Sequence, residues 1–299
     1  MKLKHLEYFQ AVCKYNNLTR AAGELHISQP SLSAVIKELE TEFGVPLFYR
    51  QSKGLVPTSQ GEVLLEETQL LLRQMEHLFS RMDSLRAEKP IVRLGIPPML
   101  GLLIFPHLFQ VFHQHFPDIH LEVVENGSLI NQNMIREGKL DAALVATDQE
   151  LPPDFQSRVL DQIHVNLYVS SGHPLALRDM LSLTDVGNTP LALQAEGSFV
   201  TDFIKRYFAK NGLVPNIMVQ TNQLATIQQL IRNQTAASFL FDGILPETQE
   251  IRRIPVREFP PVQAMLIWNK NLEPSPATQK LIHLSPFYSS DGENANTKV

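Results

Sequence analysis

Residues 18–50 read LTRAAGELHISQPSLSAVIKELETEFGVPLFYR, and this stretch decides the fold of the first part of the chain. Its fifth residue is the small Ala22, and its ninth is His26, where a turn between two helices must tolerate a positive φ. Ser28 can then cap a helix that has Pro30 in its first turn. A small residue at the crossing, a permissive turn and apolar residues at helical spacing predict a helix-turn-helix.

The flanking sequence extends this pair of helices to a winged helix-turn-helix. Apolar residues recur at helical spacing between Leu3 and Cys13, which predicts a first helix, and Thr19 is placed to cap the second. Two short strands are predicted at 47–50 and 55–58, joined as a β-hairpin that forms the wing. The alternative is a plain three-helix subdomain with a charged, solvated rim.

The third helix and the wing carry the candidate DNA-contacting side chains. The whole chain has a net charge of −5, but its first 60 residues have seven Lys or Arg against five Glu, an excess of +2. Amides and hydroxyls near the start of a recognition helix suit base edges, and lysine suits phosphate. The candidates are Gln29, Ser31, Ser33 and Lys37 on the outward face of the helix, with Arg50 and Lys53 at the tip of the wing.

Residues 18–50, together with LVPTSQG at 55–61, resemble the N-terminal signature of the LysR-type transcriptional regulator family over nearly its whole length. The resemblance implies that double-stranded DNA is a partner. Members often carry arginine and glutamine after the second serine of the recognition helix, where this sequence has Ala34 and Val35. This departure implies an affinity or an operator preference that differs from the family norm. The contacts implied by the resemblance are at Gln29, Ser31, Ser33, Arg50 and Lys53.

A long helix follows the wing, capped by Thr58 or Ser59 and reaching about Ala87. Its apolar positions alternate at spacings of four and three over three heptads, which predicts a coiled coil with a second copy. Pairing would present two recognition helices to two half-sites, as a dimer or within a tetramer. An amphipathic helix packed on its own domain is the alternative. The seam consists of Leu64, Thr68, Leu71, Met75, Leu78, Met82 and Leu85.

From residue 90 onward, strands and helices alternate. Strands predicted at 91–96, 120–125 and 141–145 enclose helices at 99–116 and 128–137, which predicts a parallel sheet with right-handed crossovers. A second set begins with a strand at 164–170, and a strand at 262–268 is expected to return to the first lobe. The fold class is therefore α/β, with an N-terminal winged helix-turn-helix, a long linker helix and a two-lobed α/β effector domain. The predicted domains are 1–58 for DNA binding, 59–89 for the linker/dimerisation helix and hinge, 90–285 for the effector domain (lobe I, 90–161 and 266–285; lobe II, 162–265) and 286–299 for a disordered tail.

This layout resembles the LysR effector domain, which is itself similar to periplasmic binding proteins, over residues 91–284. The resemblance implies that a small-molecule effector binds between the lobes and alters how the dimer or tetramer sits on DNA. Ligands of open parallel sheets bind at the carboxyl ends of strands, and helix N-termini favour anions, so a small carboxylate is expected. The predicted effector contacts are Pro98, Met99, Leu100, Thr147, Ser198, Phe199, Asn222, Gln223 and Phe241.

An apolar or aromatic effector is the alternative, because four of these side chains could line an apolar pocket. Family members often place a serine or threonine after the first strand, where this sequence has Pro97 and Pro98. The polar candidates that remain are the side chains of the loops after later strands. The apolar set is Met99, Leu100, Phe199 and Phe241.

Other classes of protein find little support in the sequence. It has no G-x-G pair, no G-x-S-x-G elbow and no H-E-x-x-H or C-x-x-C spacing, which indicates no enzyme, no cofactor and no metal site. A Ser-His-Asp triad assembled by folding stays open. Residues 1–10 lack the apolar core of a secretion signal, and no stretch approaches a membrane span, so a cytoplasmic protein is expected rather than a secreted solute-binding protein. The single cysteine, Cys13, fits a reducing compartment, as an inert core residue or a reactive thiol.

Overall fold

The computed structural model describes residues 2–51, 54–86, 89–246 and 248–284, and it divides the chain into two compact units, Met1–Ser80 and Arg81–Val299. The predicted disordered tail at 286–299 lies outside the described residues. The elements described in the first unit, with the long helix that begins in it, are α1 (Leu3–Tyr15), α2 (Leu18–Glu24), α3 (Gln29–Phe43), β1 (Phe48–Gln51), β2 (Gly54–Pro57) and α4 (Ser59–Arg86).

The local signals of the helix-turn-helix are confirmed, with one correction. Ala22 is buried, His26 has φ +54°, and the Ser28 hydroxyl accepts the N–H of Ser31 at 3.2 Å, which caps α3. The cap of α2 is Asn17 and not Thr19. The chain is still extended at Asn17, so its side-chain oxygen accepts the N–H of residue 20 at 3.0 Å before the helix begins.

The core of the first unit joins the three short helices to the base of the wing. Phe9 of α1 and Leu32 and Leu39 of α3 are fully buried. The ring of Phe9 meets the ring of Phe48, the first residue of β1, at a centroid distance of 5.3 Å. The wing is therefore packed at its base against the same core that holds the recognition helix.

Gly61 lies in the first turn of α4, close to the segment before the wing. A Cβ at this position would stand 2.2 Å from the carbonyl oxygen of Leu47, so the backbone must shift to admit one. We expect Gly61→Ala to lower the free energy of unfolding by about 1–3 kcal/mol, the usual cost of forcing extra volume into a packed site. Gly23→Ala is the matched control in α2, where no atom beyond the helix's own backbone lies within 4 Å of the added methyl. It should gain up to about 1 kcal/mol. Urea unfolding measures both, and equal effects would contradict the expectation.

The second unit begins with lobe I, whose sheet has the order β4-β3-β5-β12-β6. Strands β4, β3 and β5 run parallel, as predicted, but β12 runs antiparallel to both β5 and β6. One predicted helix is two helices, divided at Ile104, and the strand β6 was not predicted. The elements of this first part are β3 (Ile91–Ile96), α5 (Pro98–Leu103), α6 (Phe105–His115), β4 (His120–Glu125), α7 (Ser128–Arg136), β5 (Ala142–Thr147) and β6 (Phe155–Ile163).

Lobe II follows, and the chain then returns to lobe I through β12, as predicted. Its strands form the sheets β10-β7-β11 and β8-β9, of which β8 and β9 are parallel and the other pairs antiparallel. Strand β11 was not predicted. The elements are β7 (Val165–Ser170), a 3-10 turn (Pro174–Leu177), α8 (Leu183–Val186), β8 (Leu191–Leu193), α9 (Phe199–Lys210), β9 (Ile217–Gln220), α10 (Leu224–Arg232), β10 (Ser238–Phe241), β11 (Ile251–Pro255), β12 (Val262–Asn269) and α11 (Pro276–Leu284).

Candidate DNA-binding surface and effector site

The N-terminal half of α3 presents polar side chains to solvent. Gln29, Ser31 and Lys37 are exposed, and Ser33 is half-buried. The Ser31 hydroxyl lies 2.7 Å from the Ser28 hydroxyl, so the cap of the helix also orients one of the candidate DNA contacts. The arrangement is a rigid helix start with amide, hydroxyl and ammonium groups within reach of a partner.

The wing continues this surface beyond β1. Arg50 pairs with Leu55 across the hairpin, next to its tip. The other basic candidate of the wing, Lys53, lies outside the described residues. Two basic residues of the sequence therefore belong to the tip of a hairpin that shares its core with α3.

The effector candidates of lobe I fall into two environments. Met99 and Leu100, in the first turns of α5, are buried in the lobe core, while Pro98 is half-buried. Thr147 ends β5, and its hydroxyl both donates to the Gln149 carbonyl oxygen at 2.8 Å and accepts the Gln149 N–H at 3.0 Å. It lines a surface cavity of about 450 Å³ at this end of the sheet.

The effector candidates of lobe II gather around the start of α9. The hydroxyl of Ser198 caps this helix by accepting the N–H of Thr201 at 3.3 Å. The ring of Phe199 stacks on the ring of Phe241 at 6.1 Å, and Phe241 is buried. Asn222 lies close by, since its side-chain oxygen accepts the backbone N–H of Ala195 at 3.1 Å.

Gln223 immediately precedes α10 as its N-cap residue, without a side-chain cap hydrogen bond, and it is exposed. Gln194, at the carboxyl end of β8, was not predicted from the sequence. It is buried, its carbonyl oxygen accepts the hydroxyl of Thr201 at 2.8 Å, and its side-chain nitrogen has no hydrogen-bond partner. A buried amide donor without an acceptor is costly, so this group is a candidate for a ligand's oxygen.

The two lobes touch where the starts of α7 and α9 meet. A Cβ on Gly127, the N-cap of α7, would stand 2.2 Å from the carbonyl oxygen of Gly197. Gly127, not Ser128, precedes the helix, because the Ser128 hydroxyl instead accepts the N–H of Ala146 at 3.4 Å. This contact brings two helix N-termini together between the lobes. The sequence offers only the glycine at a predicted helix start as a signal for it.

A second contact between the lobes is an ion pair with an aromatic neighbour. Asp148, just after β5, lies 2.8 Å from the guanidinium of Arg206 on α9, and its side chain is only 4% exposed. The hydroxyl of Tyr207 donates to the same carboxylate at 3.2 Å. Burial, and then the charge of Asp148, raise the pKa of Tyr207, so it stays a neutral donor. None of these three residues was predicted from the sequence.

Cys13 is an unreactive thiol in this fold. Burial among the apolar side chains of the first unit raises its pKa from 9.0 to about 12. We expect Ellman's reagent at pH 8 to modify the folded protein at least about 100-fold more slowly than the urea-unfolded protein, because only the thiolate attacks. Reaction rates of the folded and unfolded chains measure this difference. Comparable rates would show that the thiol is accessible and ionised.

Neither a metal centre nor a membrane helix is found in the parts of the chain that the structure covers. Within residues 2–51, 54–86, 89–246 and 248–284, no three His, Cys, Asp or Glu side chains are grouped to hold a metal ion. Over the same ranges, no helix is long and apolar enough to cross a membrane.

A winged helix-turn-helix with a polar helix face, joined to a two-lobed α/β domain, defines a class of protein, the ligand-responsive DNA-binding regulators. Family models agree for both parts. Residues 3–62 match the bacterial regulatory helix-turn-helix protein, lysR family, and residues 86–285 match the LysR substrate binding domain. The chain belongs to the LysR family of transcriptional regulators, and so combines DNA binding with an effector-binding domain.

Similar proteins cover nearly the whole chain. The uncharacterized HTH-type transcriptional regulator YybE of Bacillus subtilis is 28% identical over 96% of this chain and 99% of its own length. The Hca operon transcriptional activator HcaR of Escherichia coli is 30% identical over 76% of this chain and 77% of its own. The structure of a full-length OxyR variant from Pseudomonas aeruginosa superposes with a TM-score of 0.58 at 23% identity, over 97% of this chain and 100% of that one. This last likeness supports the fold.

Proposed function

We propose that this chain is a non-enzymatic, cytoplasmic regulator that binds double-stranded DNA through α3 and the wing, and whose DNA binding is modulated by a small carboxylate held between the lobes. The observation that carries the proposal for the effector is the meeting of the starts of α7 and α9 at Gly127 and Gly197. The first N–H groups of a helix lack intrahelical acceptors, and two such ends together favour an anion.

The DNA contacts follow from the exposed start of α3. We assign base-edge contacts to Gln29, Ser31 and Ser33, which carry amides and hydroxyls, and a phosphate contact to Lys37. Arg50 and Lys53 of the wing are assigned to phosphates for the same reason as Lys37. Net negative charge over the chain does not oppose this, because phosphate attraction acts locally and is screened beyond about 10 Å.

The effector contacts follow from the loops that approach the meeting point of the two helices. Ser198, at the start of α9, supplies a hydroxyl, and the buried nitrogen of Gln194 supplies a donor without another acceptor. The other assigned contacts are Pro98, Met99, Leu100, Thr147, Phe199, Asn222, Gln223 and Phe241. The buried members of that set, Met99, Leu100 and Phe241, support walls of the site from the core.

Self-association follows from the apolar face that α4 leaves exposed. Leu71, Leu78 and Met82 of the predicted seam are exposed, and so is Phe79 at 61%. Large apolar side chains in a row along one helix favour a partner helix. A second copy paired through α4 would supply the second recognition helix of a dimer, alone or within a tetramer.

Selection of binding sites from random DNA by the full-length protein tests the DNA-binding part at a fixed salt concentration. We expect a site made of two related halves, bound in the presence of competitor. Salt must be fixed because phosphate contacts make affinity strongly salt-dependent. Failure to enrich any sequence would refute the regulator function.

A thermal unfolding screen tests the effector part. The panel pairs small mono- and dicarboxylates with their primary amides, and adds neutral aromatic compounds. A ligand that binds the folded state raises the unfolding temperature by mass action, so a carboxylate should raise it while its amide does not. A rise with neutral aromatic compounds alone would support the apolar effector instead.

A further inference from the structure

The wing is a two-stranded hairpin that needs support from outside itself. An isolated pair of strands is marginally stable in water, so its position depends on what its edges contact. At its base the wing is held firmly: the N–H of Thr58 donates to the carbonyl oxygen of Leu47 at 3.0 Å, and the Thr58 hydroxyl donates to the carbonyl oxygen of Pro46 at 2.7 Å. These bonds lie far from the tip, where Arg50 and Lys53 belong.

Nearer the tip, the outer edge of β2 is closed by one residue of another element. Asn16 is the C-cap of α1, in the left-handed conformation with φ +51°. Its carbonyl oxygen accepts the N–H of Leu55 at 2.9 Å. With its amide oriented as the surrounding hydrogen bonds require, its side-chain nitrogen donates to the carbonyl oxygens of Leu55 at 3.2 Å and of Cys13 at 3.1 Å.

Both backbone groups of Leu55 are therefore directed to Asn16 rather than across the hairpin to Arg50, its partner in β1. In an antiparallel pair, alternate residues leave their backbone groups pointing outward, and Asn16 takes them as a third strand would. Gly54 fits this arrangement. It has φ +133°, and a Cβ there would stand 2.4 Å from the Asn16 carbonyl oxygen.

We propose that Asn16 is a positioning residue for DNA binding: by joining the end of α1 to Leu55, it sets the position in which the wing meets the phosphate backbone. The proposal rests on the proposed contact of the wing with DNA. Asn16 itself is assigned no contact with DNA. It acts through the hairpin, whose basic tip begins one residue before Gly54.

Two isosteric substitutions at neighbouring positions separate this role from charge and from folding. In Asn16→Asp, a carboxylate oxygen replaces the nitrogen and faces two carbonyl oxygens, so both side-chain bonds become repulsive; aspartate still tolerates the left-handed conformation. Asn17→Asp adds the same charge one residue away, but keeps the side-chain oxygen that caps α2. Nonspecific repulsion from DNA is thereby matched.

The measurement is the affinity of each full-length variant for the site selected by the wild-type protein, over a series of salt concentrations, with a hydroxyl-radical footprint. For Asn16→Asp we expect about a tenfold loss of affinity at low salt, the size expected when one charge-assisted hydrogen bond is removed. The slope of log K against log salt should shrink by about 0.9 for each phosphate that the wing no longer reaches. Protection should disappear at the flank of the footprint and persist at its centre, while Asn17→Asp matches the wild type.

A merely structural role for Asn16 would lower the unfolding temperature and leave the salt slope and the footprint of the folded protein unchanged. Asn16→Gly keeps the proposal testable should the aspartate variant not fold. Glycine adopts the left-handed conformation freely and keeps the backbone carbonyl, so only the two side-chain bonds are removed. We expect the same change of slope and footprint, reduced in size.

The possible outcomes separate the positioning role from DNA recognition itself. Folded Asn16 variants with the wild-type slope and footprint would overturn the positioning role, and so would an equal loss in Asn17→Asp. A wild-type protein that selects no site from random DNA would refute DNA recognition, and the positioning role with it.

Discussion

Ser33→Glu is expected to abolish sequence-specific DNA binding, with a loss of affinity of at least about 100-fold, or roughly 2.7 kcal/mol. Ser33 is half-buried, and it lies in the N-terminal half of α3, the helix whose start is fixed by the Ser28 cap. A carboxylate there would meet base edges without a matching donor, at about 1–3 kcal/mol for one wrong contact, and would repel the phosphates as well.

The control for this variant is Thr41→Glu on the same helix. Thr41 is exposed, its hydroxyl donates to the Lys37 carbonyl oxygen, and it lies eight residues, or about 12 Å, further along α3. The added charge is the same, so affinity within about threefold of the wild type is expected. Mobility shifts on the selected site measure both variants. Wild-type affinity in Ser33→Glu would remove this part of α3 from the DNA interface.

Gly127→Ala is expected to abolish the response to the effector while leaving effector-free DNA binding intact. The added methyl would stand 2.2 Å from the carbonyl oxygen of Gly197, so the starts of α7 and α9 cannot meet as they do here. Gly127 has φ −64°, which any residue adopts, so the whole effect comes from this contact between the lobes. Loss of closure should weaken binding of the carboxylate found by the thermal screen by at least about tenfold.

Leu129→Ala is the matched control for the contact between the lobes. Leu129 lies in the first turn of the same helix and is 56% exposed, so its truncation leaves the meeting point unchanged. Calorimetric titration with the same carboxylate measures affinity, and circular dichroism checks that both variants are folded. Affinity within about twofold of the wild type in Gly127→Ala would show that effector binding does not depend on this contact.

The DNA-binding domain could be predicted closely because its signals are local. The spacing of Ala22 and His26 and the Ser28 cap all act within a few residues, and the structure confirms each of them. The wrong prediction at Thr19 has a simple cause. Two neighbouring side chains could cap α2, and only the backbone conformation, extended at Asn17, decides between them.

The effector domain could be predicted only in outline because its decisive contacts are distant in sequence. Gly127 and Gly197 are 70 residues apart, and Asp148 and Arg206 are 58 apart. Neither pair has a periodicity or a motif that would reveal it. The strand β6 was missed for a related reason: it pairs along its whole length with β12, and its mixture of polar and apolar residues does not alternate regularly.

The position of β12 has a consequence for the order in which the protein is made. This strand lies between β5 and β6 in the lobe I sheet, yet about 100 residues of lobe II separate it from β6 in the chain. A nascent chain emerging from the ribosome can fold its DNA-binding domain early, since domains fold as units from the N-terminus. The sheet of lobe I keeps an open gap until residues 262–269 have been synthesised. A chain terminated within lobe II would thus lose both lobes and leave an unpaired strand edge, a known route to aggregation.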